Sequence, residues 1–383
     1  MNETSSALNW YSAGLAAALA AQGLDVVVLA VDDGGGERTW HDGSVRVRHV
    51  CRRGSPSLPI ALARALASER PDILHVQHEL FAYGGIASAA LLIAALRRAR
   101  TARRPIVTTI HGVIPLDRIT PEFVRLNGVA GPARLVRFVW RNMLRAAAQL
   151  SDAVIVHGKH LRTLLANQYG VTTRLEVIPI GIDPKPPLDA AAARARLGVS
   201  GSPVVLFFGF LSSYKGIDYL ADEMAQLRKR APGAVVVIAG DVPRRLRERT
   251  NDLSDAVARL QREPNVRMLG FIEEERVDDV FAAADVVVLP YRVVMAASGP
   301  MSIALAHRRP VLVSSEFRDY RDTPLSFELL SGALANAVGT FVDEPGRAAL
   351  MLDYQQTLLD DARWDRVAER TIAVYRACAE AAR

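Results

Sequence analysis

The feature that most constrains this chain is a series of short, nearly uninterrupted apolar runs, each followed by a stretch of helical periodicity. In the N-terminal half the runs fall at 24–31, 45–50, 73–76, 106–110, 153–156 and 175–178. In the C-terminal half they fall at 204–208, 234–239, 285–289 and 310–313. A strand with one wet face alternates apolar and polar residues, whereas a strand covered on both faces reads as a continuous run. Continuous runs alternating with helices predict parallel sheets sandwiched between helices, the α/β class.

The alternation breaks once, at Gly181-Ile182-Asp183-Pro184-Lys185-Pro186-Pro187. Three prolines there exclude both a continuing helix and a central strand. A chain of 383 residues is long for one core. The expectation is two doubly wound, Rossmann-like domains, 1–182 and 188–360, with a cleft between them. Ligands of such sheets bind beyond the carboxyl ends of the strands, so the polar residues just after each strand are the candidates for chemistry.

Composition excludes several classes. Cys51 and Cys378 are the only cysteines, too few for a disulfide framework or a cysteine metal site, and this usage fits a reducing, cytoplasmic compartment. The longest apolar stretch, 85–96, has twelve residues and runs into arginines, which suits a buried helix better than a membrane span. Asn2, Glu3 and Thr4 do not open a signal peptide.

Two helix starts are candidate anion sites. After the run at 204–208 come Gly209, a short polar loop and Lys215, with a helical pattern from Ile217. A helix N-terminus offers unpaired N–H groups and a positive dipole end, and a lysine beside it suits a phosphate. A solvated loop lysine is the plain alternative. After the run at 285–289 come Ser298, Gly299 and Pro300, leading a helical pattern from Met301 to His307. Ser298 or Gly299 fits the cap and Pro300 the first turn, and a simple cap is again the alternative. Neither a Walker loop nor a G-x-G-x-x-G motif occurs.

Three histidines follow strands in the first half: His78 beside Glu79, His111 beside Gly112, and His157 beside Gly158. Their spacing does not make a metal set, and no metal is expected. At least one is expected to have a functional role.

The first 182 residues carry 21 Lys+Arg against 13 Asp+Glu, the remainder 26 against 28. Part of the excess lies at Arg97, Arg98, Arg100, Arg103 and Arg104. Another part, Arg134, Arg137, Arg141 and Arg145, falls on one helical face beside Leu135, Phe138 and Leu144. A solvated helix explains this face simply; docking on an anionic membrane is the sharper reading. Nucleic acid is not expected, because no aromatic stacking platform accompanies the arginines.

Taken in order, the motifs resemble retaining glycosyltransferase family 4, whose members have the two-domain GT-B fold. The first-half anchors are Gln77-His78-Glu79, Gly84-Gly85, Thr108-Thr109-Ile110-His111-Gly112, Ser151-Asp152-Ala153-Val154-Ile155-Val156-His157 and Val177-Ile178-Pro179-Ile180-Gly181-Ile182-Asp183. The second-half anchors are Phe208-Gly209-Phe210, Lys215-Gly216, Ala239-Gly240-Asp241, Leu289-Pro290-Tyr291, Ser298-Gly299-Pro300 and Arg309-Pro310-Val311. The resemblance implies transfer of a sugar from a nucleotide-sugar donor to a glycan, lipid-linked or small-molecule acceptor, with retained anomeric configuration and no metal cofactor. It implies that Gly209, Lys215, Ser298, Gly299 and Pro300 hold the donor phosphates. Gly270, Phe271 and Ile272 would hold the base through their main chain. His111 would act near the anomeric carbon, and His78, Glu79 and His157 would lie on the acceptor side. The final helix, within 361–383, would cross back to the first domain.

Four departures from the family pattern stand out. Met295 and Ile303 occupy positions where the family often has two glutamates, Phe210 replaces an arginine, and Arg308-Arg309 replaces a glycine before Pro310. These keep a second reading open, a GT-B protein that binds a nucleotide sugar or glycan without transferring it. Finally, the chain opens with a helical pattern at 7–22 where the family has a strand and a glycine loop first. This predicts that codons upstream of Met1 encode a further strand and turn, roughly ten to twenty residues at ~3.3 Å each, and that neighbouring strand edges are otherwise left open.

Overall fold

The computed structural model describes residues 3–32, 38–79, 86–101, 104–242 and 251–382. The chain divides into two compact units. The first comprises Met1–Gly181, Met295–Ala297 and Ala362–Arg383, and the second Ile182–Val294 and Ser298–Asp361.

The first unit opens with helix α1 (Glu3–Ala21), followed by β1 (Val27–Asp32), β2 (Arg38–Asp42), β3 (Val45–Arg52), α2 (Leu58–Glu69), β4 (Leu74–His78) and α3 (Ile86–Arg100). It continues with β5 (Ile106–Ile110), α4 (Pro121–Leu126), α5 (Ala133–Gln149), β6 (Ala153–Val156), α6 (Lys159–Asn167) and β7 (Arg174–Val177). Strands β4-β5-β6-β7 form one parallel sheet in sequence order. The expected single doubly wound sheet is not what forms among the described residues. The runs at 24–31 and 45–50 instead join a separate sheet of order β1-β3-β2. In it β3 lies parallel to β1 and antiparallel to β2, a strand too polar to be read as one, which reverses through Gly43 (φ 57°). β1 and β4 each pair on one side only among the described residues, yet Leu29 of β1 packs in one cluster with Leu74 and Val76 of β4 and with Leu66, Leu92 and Leu96.

The period of two along a strand splits the four-stranded sheet into two dry faces. Val107 and Ile155 face Tyr11, Leu15 and Leu19 of α1, while Val154 and Val156 face Leu144, Leu161 and Leu165. Burying each such aliphatic side chain contributes roughly 1.5–3 kcal/mol. The last helix of the chain packs against the first of these faces and is described below.

The second unit runs α7 (Ala190–Leu197), β8 (Val204–Phe208), α8 (Ile217–Arg230), β9 (Val235–Ala239), α9 (Asn251–Arg262), β10 (Val266–Gly270) and α10 (Glu274–Ala283). It continues β11 (Val286–Leu289), α11 (Gly299–Ala306), β12 (Val311–Ser314), β13 (Ser326–Phe327), α12 (Ala333–Asp343) and α13 (Arg347–Asp361). Its sheet is wholly parallel with order β10-β9-β8-β11-β12-β13. Strands β10 and β13 were not legible as apolar runs, since Arg267 interrupts one and the other has two residues. Sequence order runs outward in both directions from the β8/β11 pair, so these two strands flank the topological switch point where open α/β sheets bind ligands.

Helix α14 (Trp364–Ala381) belongs to the first unit. Trp364, Val367, Ile372 and Tyr375 join Tyr11, Leu15 and Leu19 in its core. The Trp364 indole fills a slot bounded by Gly14 and Gly181, since a Cβ on either glycine would collide with the ring.

Candidate functional site

The second unit carries its polar cluster at the switch point. Beyond β8 the chain turns at Gly209 (φ 114°) and reaches a 3-10 turn, Ser213–Lys215, closed by Gly216 (φ 76°). The sequence pattern put Lys215 at a helix start, with a solvated loop lysine as the plain alternative. It is instead 8% exposed, inside that turn and just before α8, because Gly216 takes the cap position. Each left-handed glycine here is required by a neighbour as well as by its φ. A Cβ on Gly216 would strike the Pro290 carbonyl, one on Gly240 the Gly209 carbonyl, and one on Gly209 would stand 2.7 Å from the Lys215 Nζ. Backbone is thereby packed against backbone, and the ammonium is held against a bare Cα.

Burial holds the Lys215 ammonium below the usual lysine range, opposed by the nearby Tyr214. Its Nζ lies 5.6 Å from the centroid of the Tyr291 ring, a cation–π distance. Among the described residues no carboxylate pairs with it, and the hydroxyl of Ser212, the cap of the same turn, is buried without a partner. The would-be Cβ of Gly209 also lies 3.5 Å from Pro300, which brings the start of α11 to the same place. There Ser298 is the cap: its Oγ accepts from the Met301 N–H at 3.3 Å, and Gly299 and Pro300 form the first turn. The structure therefore gathers Gly209, Lys215, Ser298 and Pro300, with Gly299 next in the chain. A buried cation, a free hydroxyl and a helix N-terminus together can neutralise an anion.

Gly270 (φ 69°) ends β10, and its carbonyl accepts from the Gly240 N–H at 2.7 Å. Phe271 follows, 60% exposed, and Ile272 is half-buried. They lie two strands from β8, at the carboxyl edge of the same sheet.

In the first unit the strand-end histidines do not behave alike. The His157 Nε2 meets the His111 Nδ1 at 3.0 Å, and His157 Nδ1 meets the Ile178 carbonyl at 2.9 Å. His111 Nε2 meets the Gln77 side-chain amide at 2.9 Å. Tyr11 stands edge-on to both rings, at 4.7 and 5.0 Å between centroids. The chain continues through Gln77 to His75 at 3.3 Å, and from His75 to Thr109 at 2.7 Å and the Tyr375 hydroxyl at 2.6 Å. His78 is not part of it: its backbone carbonyl takes the His111 N–H, but its Nδ1 is buried without a partner. Glu79 is half-buried beside it. Sequence reasoning missed His75 and Tyr375 as members, because one sits mid-strand and the other 300 residues away.

Burial sets the proton chemistry of this cluster. It pushes His157 and His78 down to about 4 and His75 to about 3, and holds His111 well below the imidazole range. It pushes the Glu79 carboxyl up to about 7. Among the described residues no group of three or more His, Cys, Asp or Glu could hold a metal ion.

Helix α5 buries Val136, Leu144, Ala147 and Ala148 and turns Leu135 and Phe138 outward, 53% and 66% exposed. Arg134 and Arg141 are exposed beside them, whereas Arg137 is half-buried and donates to the Ile119 carbonyl. Arg145 is half-buried too, so the basic face read from the sequence is an apolar pair flanked by two exposed arginines. Arg103 and Gly84-Gly85, singled out above, lie outside the described residues, and no helix among those described is long and apolar enough to cross a membrane.

Comparison with known proteins agrees with this architecture. Among curated relatives, the GDP-mannose-dependent α-(1-6)-phosphatidylinositol monomannoside mannosyltransferase of Mycolicibacterium smegmatis is 26% identical over 245 residues, covering 59% of this chain and 62% of that protein. The chain spans between 25% and 62% of the length of the first curated relatives it matches. Among solved structures, sucrose-phosphate synthase of Thermosynechococcus elongatus aligns with a TM-score of 0.69 at 20% identity, over 97% of this chain and 94% of that one. Anabaena HepE in complex with UDP aligns with a TM-score of 0.65 at 19% identity, over 87% and 86%. These likenesses place the fold as GT-B. Residues 8–186 match the model for Glycosyltransferase Family 4 and residues 202–339 the model for Glycosyl transferases group 1. The two matches follow each other along most of the sequence, and the chain belongs to this glycosyltransferase family.

Proposed function

We propose that this protein transfers a sugar from a nucleotide-sugar donor to a glycan, lipid-linked or small-molecule acceptor, with retention of anomeric configuration and without a metal cofactor. The observation that carries the reading is Lys215: a buried ammonium with no carboxylate partner among the described residues, at the β8/β11 switch point and beside the α11 N-terminus. Burying an unpaired charge is costly unless a ligand supplies the counter-charge. Cleaving a glycosyl–phosphate bond builds negative charge on the leaving phosphate, and a preorganised cation with N–H donors stabilises that charge. Lys215, the Ser212 hydroxyl and the start of α11 at Ser298, Gly299 and Pro300 would supply these groups. The main chain of Gly270, Phe271 and Ile272 would hold the base, and His111 would act at the reacting centre. His78, Glu79 and His157 would lie on the acceptor side. Anabaena HepE, of the same fold, is known with UDP, which supports a nucleotide diphosphate as the ligand.

The α5 face supports a peripheral contact with an anionic membrane, with Arg134 and Arg141 on the headgroups and Leu135 and Phe138 toward the acyl boundary. Both cysteines are free and buried, which fits a cytoplasmic protein. Nucleic acid is not a proposed partner. Met295 and Ile303, in place of the carboxylates the family often carries, favour the second reading of binding without transfer.

The test is a thermal-shift panel of UDP-, GDP- and ADP-sugars followed by product analysis with the tightest donor. Binding with transfer is expected. Binding without transfer to any acceptor class selects the second reading, and no binding to any of the three removes both. In parallel, pelleting with anionic liposomes is expected to fall when Arg134 and Arg141 are changed to glutamine; unchanged pelleting removes the membrane contact.

A further inference from the structure

Proton accounting along the buried histidine chain decides what Gln77 must do. The His157 Nδ1 faces the Ile178 carbonyl at 2.9 Å, and a carbonyl only accepts, so this nitrogen bears a hydrogen. Burial keeps the ring neutral at neutral pH, so its Nε2 is a bare lone pair. That lone pair lies 3.0 Å from His111 Nδ1, which must therefore donate. His111 is held neutral as well, leaving its Nε2 bare, and the group 2.9 Å away is one end of the Gln77 amide. A bare nitrogen needs a donor, so a neutral His111 requires the amide nitrogen. An amide exchanges its two ends by a half-turn with almost no change of shape.

With its nitrogen toward His111, Gln77 turns its oxygen toward the His75 Nε2, 3.3 Å away. His75 then carries its hydrogen on Nε2, near the Thr109 Oγ1 at 2.7 Å, and its Nδ1 accepts from the Tyr375 hydroxyl at 2.6 Å. Each ring nitrogen of His157, His111 and His75 then faces a complementary donor or acceptor, and no charge is present. The structure has the opposite orientation, with Oε1 toward His111 Nε2. That orientation needs one more proton on the His111–His157 pair, shared across their 3.0 Å contact, and it moves the His75 hydrogen to Nδ1. We propose that Gln77 is the positioning residue for His111: its amide presents nitrogen to the neutral ring and oxygen to the protonated pair, so that His111 can take up a proton without stranding a polar atom.

The groups facing the pair fit this role. His75 and His78 come from β4, Tyr11 from α1 and Tyr375 from α14. The titratable groups that oppose a proton on His111 are His157, His75 and His78, all histidines. Among the described residues no carboxylate acts on His111. The catalytic consequence rests on the reading of His111 as acting at the reacting centre, but the hydrogen-bond assignment does not.

The test uses full-length protein labelled with nitrogen-15 in histidine. Two-bond proton–nitrogen spectra read the tautomer of each ring as pH is lowered, in the wild type, Gln77→Glu and Gln77→Met. At pH 7.5 the wild-type His111 is expected with hydrogen on Nδ1 and a bare Nε2. Gln77→Glu, a permanent acceptor, is expected to raise the protonation midpoint of the pair by roughly one to three pH units. Gln77→Met, which offers no acceptor, is expected to lower it. Hydrogen on His111 Nε2 in the neutral wild type, or one midpoint shared by all three proteins, overturns the proposal. Should Gln77→Glu fail to fold, the direction of the Gln77→Met shift decides alone. In the transfer assay the acid limb of kcat is expected to move with the midpoint while donor KM holds. A midpoint that moves under a fixed limb keeps the Gln77 assignment and removes His111 from the reacting centre.

Discussion

The Lys215 ammonium rests against the bare Cα of Gly209, where a Cβ would stand 2.7 Å from Nζ. A glycine at the end of a buried strand and a lysine six residues later thus form one object, a cation seated in backbone. The seat exists because Gly209 adopts φ 114° and because Gly240 lets the neighbouring strand end close over it.

Gly209→Ala tests the seat. A side chain there meets both a left-handed backbone and the ammonium, and strained φ/ψ positions cost about 1–3 kcal/mol. Chemical denaturation is expected to show a loss of that size, and nucleotide-sugar affinity is expected to fall in the protein that remains folded.

Lys215→Met separates stability from function. The substitution keeps an apolar stem and removes a buried charge without a carboxylate partner among the described residues. Donor affinity is expected to fall at least ~10-fold, or about 1.4 kcal/mol. The melting temperature of the unliganded protein is expected to rise, because the desolvation cost disappears. Calorimetry of both quantities checks the pair; retained affinity removes the phosphate role.

Acid should destabilise the first unit through its histidines. His157 and His78 titrate at about 4 in the fold, against an ordinary 6.5. Between those values the unfolded chain binds protons that the native state refuses, so stability falls as pH drops from about 6.5 toward 4. Each such histidine adds a slope of roughly 1.4 kcal/mol per pH unit. Glu79 has the opposite sign. Its carboxyl, raised to about 7 from 4.5, favours the fold at low pH and withdraws that support as pH rises from 4.5 to 7. Urea midpoints from pH 4 to 7 should therefore rise with pH, less steeply in the wild type than in Glu79→Gln.

Arg308 marks local strain. It follows α11 with φ 51°, a left-handed conformation, and belongs to the Arg308-Arg309 pair, one of which stands where the family pattern has glycine before Pro310. The left-handed region costs an L-residue roughly 1–2 kcal/mol. Arg308 is exposed, so Arg308→Gly relieves this strain without opening the core. A gain of about 1 kcal/mol by denaturation is expected, and Arg308→Ala is expected to give none.

Much of the architecture was legible because it depends on short-range patterning. The runs at 106–110, 153–156 and 204–208 became strands at those bounds, since continuous aliphatic runs have no wet face to alternate against. Strand β10 escaped because Arg267 breaks its run, and β2 because Arg-Thr-Trp-His-Asp carries no apolar signature. The residues gathered at the β8/β11 switch point were legible as a set, since glycine, lysine and a Ser-Gly-Pro helix start are each demanded by local backbone geometry. The burial of Lys215 was not, because the 3-10 turn that draws it inward depends on Gly216 packing against the Pro290 carbonyl, across a parallel sheet.

The sequence alone determined the α/β class, the division near Gly181, the switch-point loops and the histidines at strand ends, all from periodicity and the backbone limits of proline and glycine. Tertiary structure decided which histidines work together. His111 and His157 share a hydrogen bond because β5 and β6 are neighbours. His75, not His78, completes the chain, because successive residues of a strand face opposite ways and α14 delivers Tyr375 to the face that His75 occupies. Strand pairing and the docking of a helix 300 residues away are long-range choices that no local pattern encodes.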